Sequence, residues 1–191
     1  MSNPYLALRD RLLAIVCDAR GADGSLGSDA QAKSIPVGRF RRAQDGAPLR
    51  DPAYPAGAFD RAVRVDWLSE ADDGANNPLD GPHFYAARVS VTHALLYGTA
   101  LSAALSTATG ETAATVALQP QERALMDARR IRRALGCPDL LRAAGDTDPV
   151  PLACVREGET TLEDLGNGRM LAVSMYTLRW QSDNANADDP Q

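Results

Sequence analysis

The stretch Arg169–Trp180, RMLAVSMYTLRW, is an unbroken run of strand-forming residues entered through Leu165-Gly166-Asn167-Gly168. Asn-Gly between two such runs predicts a tight hairpin, because both residues tolerate the positive φ of a primed two-residue turn. The partner strand is read from Val150 to Val155 and onward to Leu165, after the turn-rich segment DTDP. The apolar residues of the final run lie on both of its faces. A strand of that kind needs cover on two sides, and this points toward assembly.

Upstream, Asn3 reads as an N-cap and Pro4 as a first helical residue. Tyr5, Leu8, Leu12, Ile15, Val16 and Ala19 then recur at helical spacing as far as Gly21. Residues 21–34 are small and polar and lack the Lys-Ser/Thr ending of a phosphate loop, so they read as a linker. A short extended piece is predicted over Ile35–Phe40. Pro48, Pro52 and Pro55 make Arg41–Asp60 a surface loop.

Alternation predicts two strands that pair antiparallel. In Arg61–Leu68, Val63, Val65 and Trp67 share one face, and Arg64 and Asp66 the other. In His83–Tyr97, every second residue from Tyr85 to Tyr97 shares a face. Between them, Ser69–Pro82 reads as a long acidic loop. Gly98–Gln119, rich in Ala, Thr and Ser, fits either a weak helix or a small-residue hairpin. Gln121–Leu135 reads as a helix ended by Gly136 and Pro138. Its predicted apolar face is Leu125, Ala128, Ile131 and Leu135, opposite Arg123, Arg129, Arg130, Arg132 and Arg133. The polar residues 182–191 read as a disordered acidic tail.

The expectation is one α+β domain over residues 1–181 in the order α-β-β-α-β-β. Its mainly antiparallel sheet packs against two helices, with long loops or arms inserted at 41–60, 69–82 and 98–119. With 45% apolar and 24% charged residues, the chain has the composition of a globular body without a membrane span. Arg9, Asp10 and Arg11 interrupt the apolar N-terminal segment, so synthesis in the cytoplasm is expected. Cys17, Cys137 and Cys154 are odd in number and far apart, which fits reduced thiols rather than a disulfide framework or a zinc site.

The net charge of -5 disfavours general binding to nucleic acid. Lys33 is the only lysine, so nearly all positive charge is arginine, a bias that a GC-rich genome produces without any function. The acidic cluster Glu70, Asp72, Asp73 with Asp80 lacks the spacing of a calcium-binding EF-hand loop. Cys17, His93 and Asp66 are the residues from which a hydrolytic triad would have to be drawn. No nucleophile elbow or catalytic-cysteine motif surrounds Cys17, and His83 and His93 read as structural.

The arginines of the second predicted helix are the most functional-looking surface. Like charges at i, i+4 repel, by a few tenths of a kcal/mol per pair, until an anionic partner stands opposite. Candidate interface residues are therefore Arg123, Arg129, Arg130, Arg132 and Arg133, with Glu70, Asp72 and Asp73 as their complement on a neighbouring subunit. A monomeric adaptor binding another protein through its final strand is a second reading, and a small hydrolase using His93 or Cys17 a third.

The helix YLALRDRLLAIV, the strands RAVRVDWL and FYAARVSVTHALLYG, the helix ERALMDARRIRRALGC and the ending ETTLEDLGNGRMLAVSMYTLRW together resemble the tail terminator proteins of long-tailed bacteriophages. The resemblance spans most of residues 4–180 as a pattern of elements. It implies a structural virion protein, not an enzyme, without cofactor or metal, assembled in the cytoplasm of a bacterial host. Six copies would form a ring that ends the tail tube. The implied partners are further copies of the chain, the tail tube protein, and the head-tail connector or stopper protein. The chain departs from the pattern in extra material at 41–60 and 98–119, which suits arms reaching neighbours or a related neck or tail adaptor protein.

Overall fold

Helix α1, Pro4–Cys17, starts where the sequence predicts. The Asn3 side-chain oxygen accepts from the backbone N–H of Tyr5 at 3.0 Å and of Leu6 at 3.4 Å, satisfying donors that have no partner inside the helix. Leu8, Leu12, Leu13, Ile15 and Val16 are buried along its inner stripe. The computed structural model describes residues 3–17, 40–42, 49, 61–72, 83–97, 119–142, 149–166 and 168–182. The predicted linker at 21–34, nearly all of the insertions at 43–60 and 98–118, Asp73 and the tail beyond Ser182 lie outside the described residues.

Strand β1 is Phe40–Arg42; residues 35–39 of the predicted extended piece lie outside the described residues, and Arg41 and Arg42 are strand where a loop was expected. Strand β2 runs Arg61–Asp72 and β3 His83–Leu96. Strand β4, Val150–Gly166, and β5, Arg169–Ser182, form the predicted hairpin. Gly166 pairs with Arg169 across a two-residue turn, and Gly166 and Gly168 both take positive φ, at 70° and 75°. The final strand continues two residues past Trp180, so Ser182 belongs to the sheet rather than to a tail.

The sheet order is β1-β2-β3-β5-β4. Four long strands are antiparallel, and the short β1 adds in parallel beside the start of β2. The expected α+β architecture is thus the observed one, with two main helices on one face of a mostly antiparallel sheet. The loop predicted at 69–82 is corrected at its start, because Ser69–Asp72 extend β2 past an irregularity between Trp67 and Ser69. One residue drops out of the ladder there and pairing resumes, as at a β-bulge.

Helix α2, Pro120–Leu135, lies over β4 and β5, whereas α1 lies over β1 and β2. Pro120 occupies the first turn, where its missing N–H costs nothing, and Glu122 accepts from the Gln119 N–H at 3.0 Å. At the other end a Cβ on Gly136 would stand 3.0 Å from the Arg132 carbonyl, so glycine fits the stop. A short helix α3, Pro138–Leu141, follows and delivers Leu141 to the core.

Alternation directs Val63, Val65, Val89, Val91, Tyr176, Leu178 and Trp180 to the helix face. There they pack on Leu8, Leu12, Val16, Ile131 and Leu135. The opposite face holds a smaller cluster of Leu49, Ala62, Ala94 and Leu171, and buried Arg169 donates to the Leu49 carbonyl at 2.7 Å. That second cluster accounts for part of the two-sided apolar pattern of the last strand.

Candidate subunit interface

Helix α2 buries Ala128, Ile131 and Leu135 as expected but is turned so that Leu125, expected inside, comes out. Its buried residues are Arg123, Ala124, Asp127, Ala128, Ile131, Ala134 and Leu135, and Leu125 is 40% exposed. The reason lies in the sheet. Arg61, fully buried on β2, forms an ion pair with Asp127, Nε to Oδ2 at 2.6 Å, and draws that carboxylate into the core. Arg123 follows Asp127 onto the inner side and donates to the Leu96 carbonyl at 3.0 Å. Arg123 is therefore withdrawn from the predicted surface: it is 2% exposed and holds the helix to the end of β3.

The other four arginines remain outside. Arg129, Arg132 and Arg133 are exposed and Arg130 is half-buried. Together with Met126 and Gly136 they line a cavity of about 800 Å³. Arg130 reaches Asp127 at 3.7 Å, while Arg129, Arg132 and Arg133 make no ion pair among the described residues. Three guanidinium groups on adjacent turns, with an apolar methionine beside them, form a surface suited to carboxylates.

The predicted acidic complement is not brought to these arginines within the chain. In the sheet order β2 and β4 are on opposite flanks, and α2 covers the β4 flank. The irregularity after Trp67 changes where Glu70 points. Trp67 pairs with Val89 and Glu70 with Ala87, so both stand on the helix face. Ala87 in turn pairs with Leu178, and Leu178 with Cys154. A Cβ on Gly136 would come within 3.9 Å of the Cys154 carbonyl, so the end of the arginine helix sits on the same rung as Glu70. Asp72 is placed by register beside Tyr85, but its side chain lies outside the described residues.

A polar cluster that sequence reading missed lies under α2. His93, fully buried on β3, pairs across the ladder with Val63 and so faces the helices near Arg61 and Asp127. Burial pushes its imidazole down to about 4, aided by Arg61 and opposed by Asp127 and by a hydrogen bond to the Ala124 backbone. The available signal was Asp127 itself, which shares a helical stripe with Ala124, Ile131 and Ala134 and so required a buried cation.

The residues of the imagined triad diverge. His93 faces the helices, whereas Asp66 pairs with Ser90 on the other face and binds Arg64 at 2.7 Å. The side chain of Cys17 lies outside the described residues. Cys137 and Cys154 are buried and in no disulfide among the described residues, and burial pushes the Cys154 thiol up to about 12. Among the described residues no three His, Cys, Asp or Glu side chains are grouped to hold a metal, and no helix is long and apolar enough to cross a membrane.

No protein-family model matches the chain, and no curated protein matches it.

Proposed function

We propose that the chain is a structural virion protein of a long-tailed phage or phage-like particle, a tail terminator whose copies close into a ring. The ring ends the tail tube and offers a docking face to the head-side connector. The observation that carries this reading is the disposition of two charged patches. The arginine groove of α2 and Glu70 near the end of β2 occupy opposite flanks of the sheet, on its helix face and at the same rung. Patches so arranged do not satisfy each other inside one copy. They meet head to tail between successive copies, which is the heterologous contact a closed ring requires.

Electron microscopy of negatively stained protein tests the reading by the presence of rings with a central hole. Replacing Arg129, Arg130, Arg132 and Arg133 together with Glu is expected to abolish the rings and leave the monomer folded, as read by light scattering and circular dichroism. A wild-type particle near 20.3 kDa would instead favour a monomeric adaptor binding through its sheet edge.

A further inference from the structure

Beside Glu70, at the β2 end of the sheet, the helix face is aromatic. Tyr5 of α1 meets Trp67 edge to face, with ring centroids 5.3 Å apart, and Trp67 meets Trp180 at 5.8 Å. Tyr85 stacks on Trp180 at 5.4 Å, and His83 stacks on Tyr85 at 6.5 Å. Trp180 is sealed in, but Tyr5, Trp67, Tyr85 and His83 are only half-buried. Two large apolar side chains lie near this patch in the chain, Leu6 at 45% exposure and Leu68 at 51%. A partly open aromatic cluster next to a carboxylate is a poor surface for water and a good one for a planar cation.

We infer that this aromatic end of the sheet is a guanidinium-binding surface, and that its occupant is the arginine helix of a second copy of the chain. The inference rests on the ring reading for its choice of partner. Guanidinium is weakly hydrated, stacks on aromatic faces and pairs in its plane with a carboxylate. Trp67 and Glu70 stand on successive helix-face rungs of β2, next to the rings of Tyr5 and Tyr85. The complement on the other flank is of matching kind. Arg129, Arg132 and Arg133 are exposed and without an ion pair among the described residues, with Met126 and the 40%-exposed Leu125 for the apolar border. Lysine, a compact and strongly hydrated point charge, would serve this surface less well.

The test uses the full chain carrying Arg129→Gln, Arg132→Gln and Arg133→Gln, which lacks the side chains needed to dock on itself. A synthetic peptide of residues 119–136 is titrated into it. Trp67 and Trp180 are the only tryptophans of the chain, so intrinsic emission reports from the cluster alone. The expected result is a saturable change in emission. Apparent affinity should fall several-fold when the peptide's arginines are replaced by lysine, and at least about tenfold when they are replaced by glutamine. Trp67→Phe or Glu70→Gln in the protein should weaken the arginine peptide several-fold. No emission change, or an equal response to the three peptides, overturns the inference. Rings from the wild-type chain together with a silent peptide would sink this surface and leave the ring standing. A monomeric wild-type chain with an arginine-selective response would do the reverse.

Discussion

Asp127 occupies a core position on α2 at 1% exposure, and the charge of Arg61 opposite, equally buried, makes that tolerable, with half-buried Arg130 a second cation at 3.7 Å. Asp127→Ala should therefore destabilise the fold by about 3–5 kcal/mol in urea denaturation, since it leaves the Arg61 guanidinium buried without its carboxylate. Replacing both residues together, Arg61→Met with Asp127→Leu, should restore most of that loss. His93 beside the pair gives a second expectation. Its folded-state pKa, about 4, lies below the ordinary value of 6.5, so the unfolded chain takes up this proton more readily. The stabilisation is complete above pH 6.5 and is lost as pH falls from there toward 4. The full loss is about 3 kcal/mol. His93→Gln should flatten that part of a stability-against-pH curve, and a curve unchanged by the substitution would contradict the assignment. The stripe that Asp127 shares with Ala124, Ile131 and Ala134 was a signal in the sequence, but that this stripe turns inward shows only once the strand carrying Arg61 is laid beneath it.

At the scale of elements, local chemistry was enough for the closing hairpin. Leu165-Gly166-Asn167-Gly168 specified the turn. The structure sets the register at Gly166 opposite Arg169, with the Tyr97 hydroxyl donating to Asp164 at 2.7 Å and the Asp164 side chain accepting from the Gly166 N–H at 2.8 Å. Those bonds hold the Asp164 carboxyl below its usual range, the one from Tyr97 foremost. Gly166 has open space where a Cβ would go, so its positive φ is the whole cost of substitution. Gly166→Ala should lower stability by about 1 kcal/mol without moving the strands, as read by thermal melting. Helix α2 was legible in its ends and in three of its inward residues, Ala128, Ile131 and Leu135, but not in the turn that brings Leu125 out. Proline and glycine mark where a helix starts and stops, but which stripe turns inward depends on what the sheet offers. Leu125 lost that place because Asp127 and Ala124 took it. The strand extension through Asp72 was equally hidden, since an acidic run reads as loop until β3 supplies a ladder for it.

For the whole molecule, the proposed ring contact joins opposite charges across a partly exposed surface, and salt should weaken it. Raising ionic strength from about 0.1 M to about 1 M shortens the screening length from roughly 10 Å to roughly 3 Å. The protein concentration at half-assembly should rise several-fold over that range, measured by light scattering. A fall with salt would point to contacts dominated by the exposed Leu6, Leu68, Leu125 and Val155 instead. The candidate interface was half legible in the sequence. Four arginines at helical spacing announced a charged face, but whether the acids met them within the chain was a question of sheet order. With β2 and β4 on opposite flanks, the two patches stay apart.

Sequence alone determined the two main helices and the four long strands, because helix caps, strand alternation and an Asn-Gly turn act over a few neighbouring residues. It determined the α+β class for the same reason. The tertiary structure decided which side chains face inward and which patches stay separate. Arg123 and Asp127 are ordinary helix-surface residues by composition, yet they lie within the core because Arg61 and the end of β3 approach from far along the chain. Glu70 came to the helix face through one irregular residue in β2, a shift that takes effect only against the pairing strand. Burial and facing are properties of two surfaces meeting, and a linear sequence shows each surface without its partner.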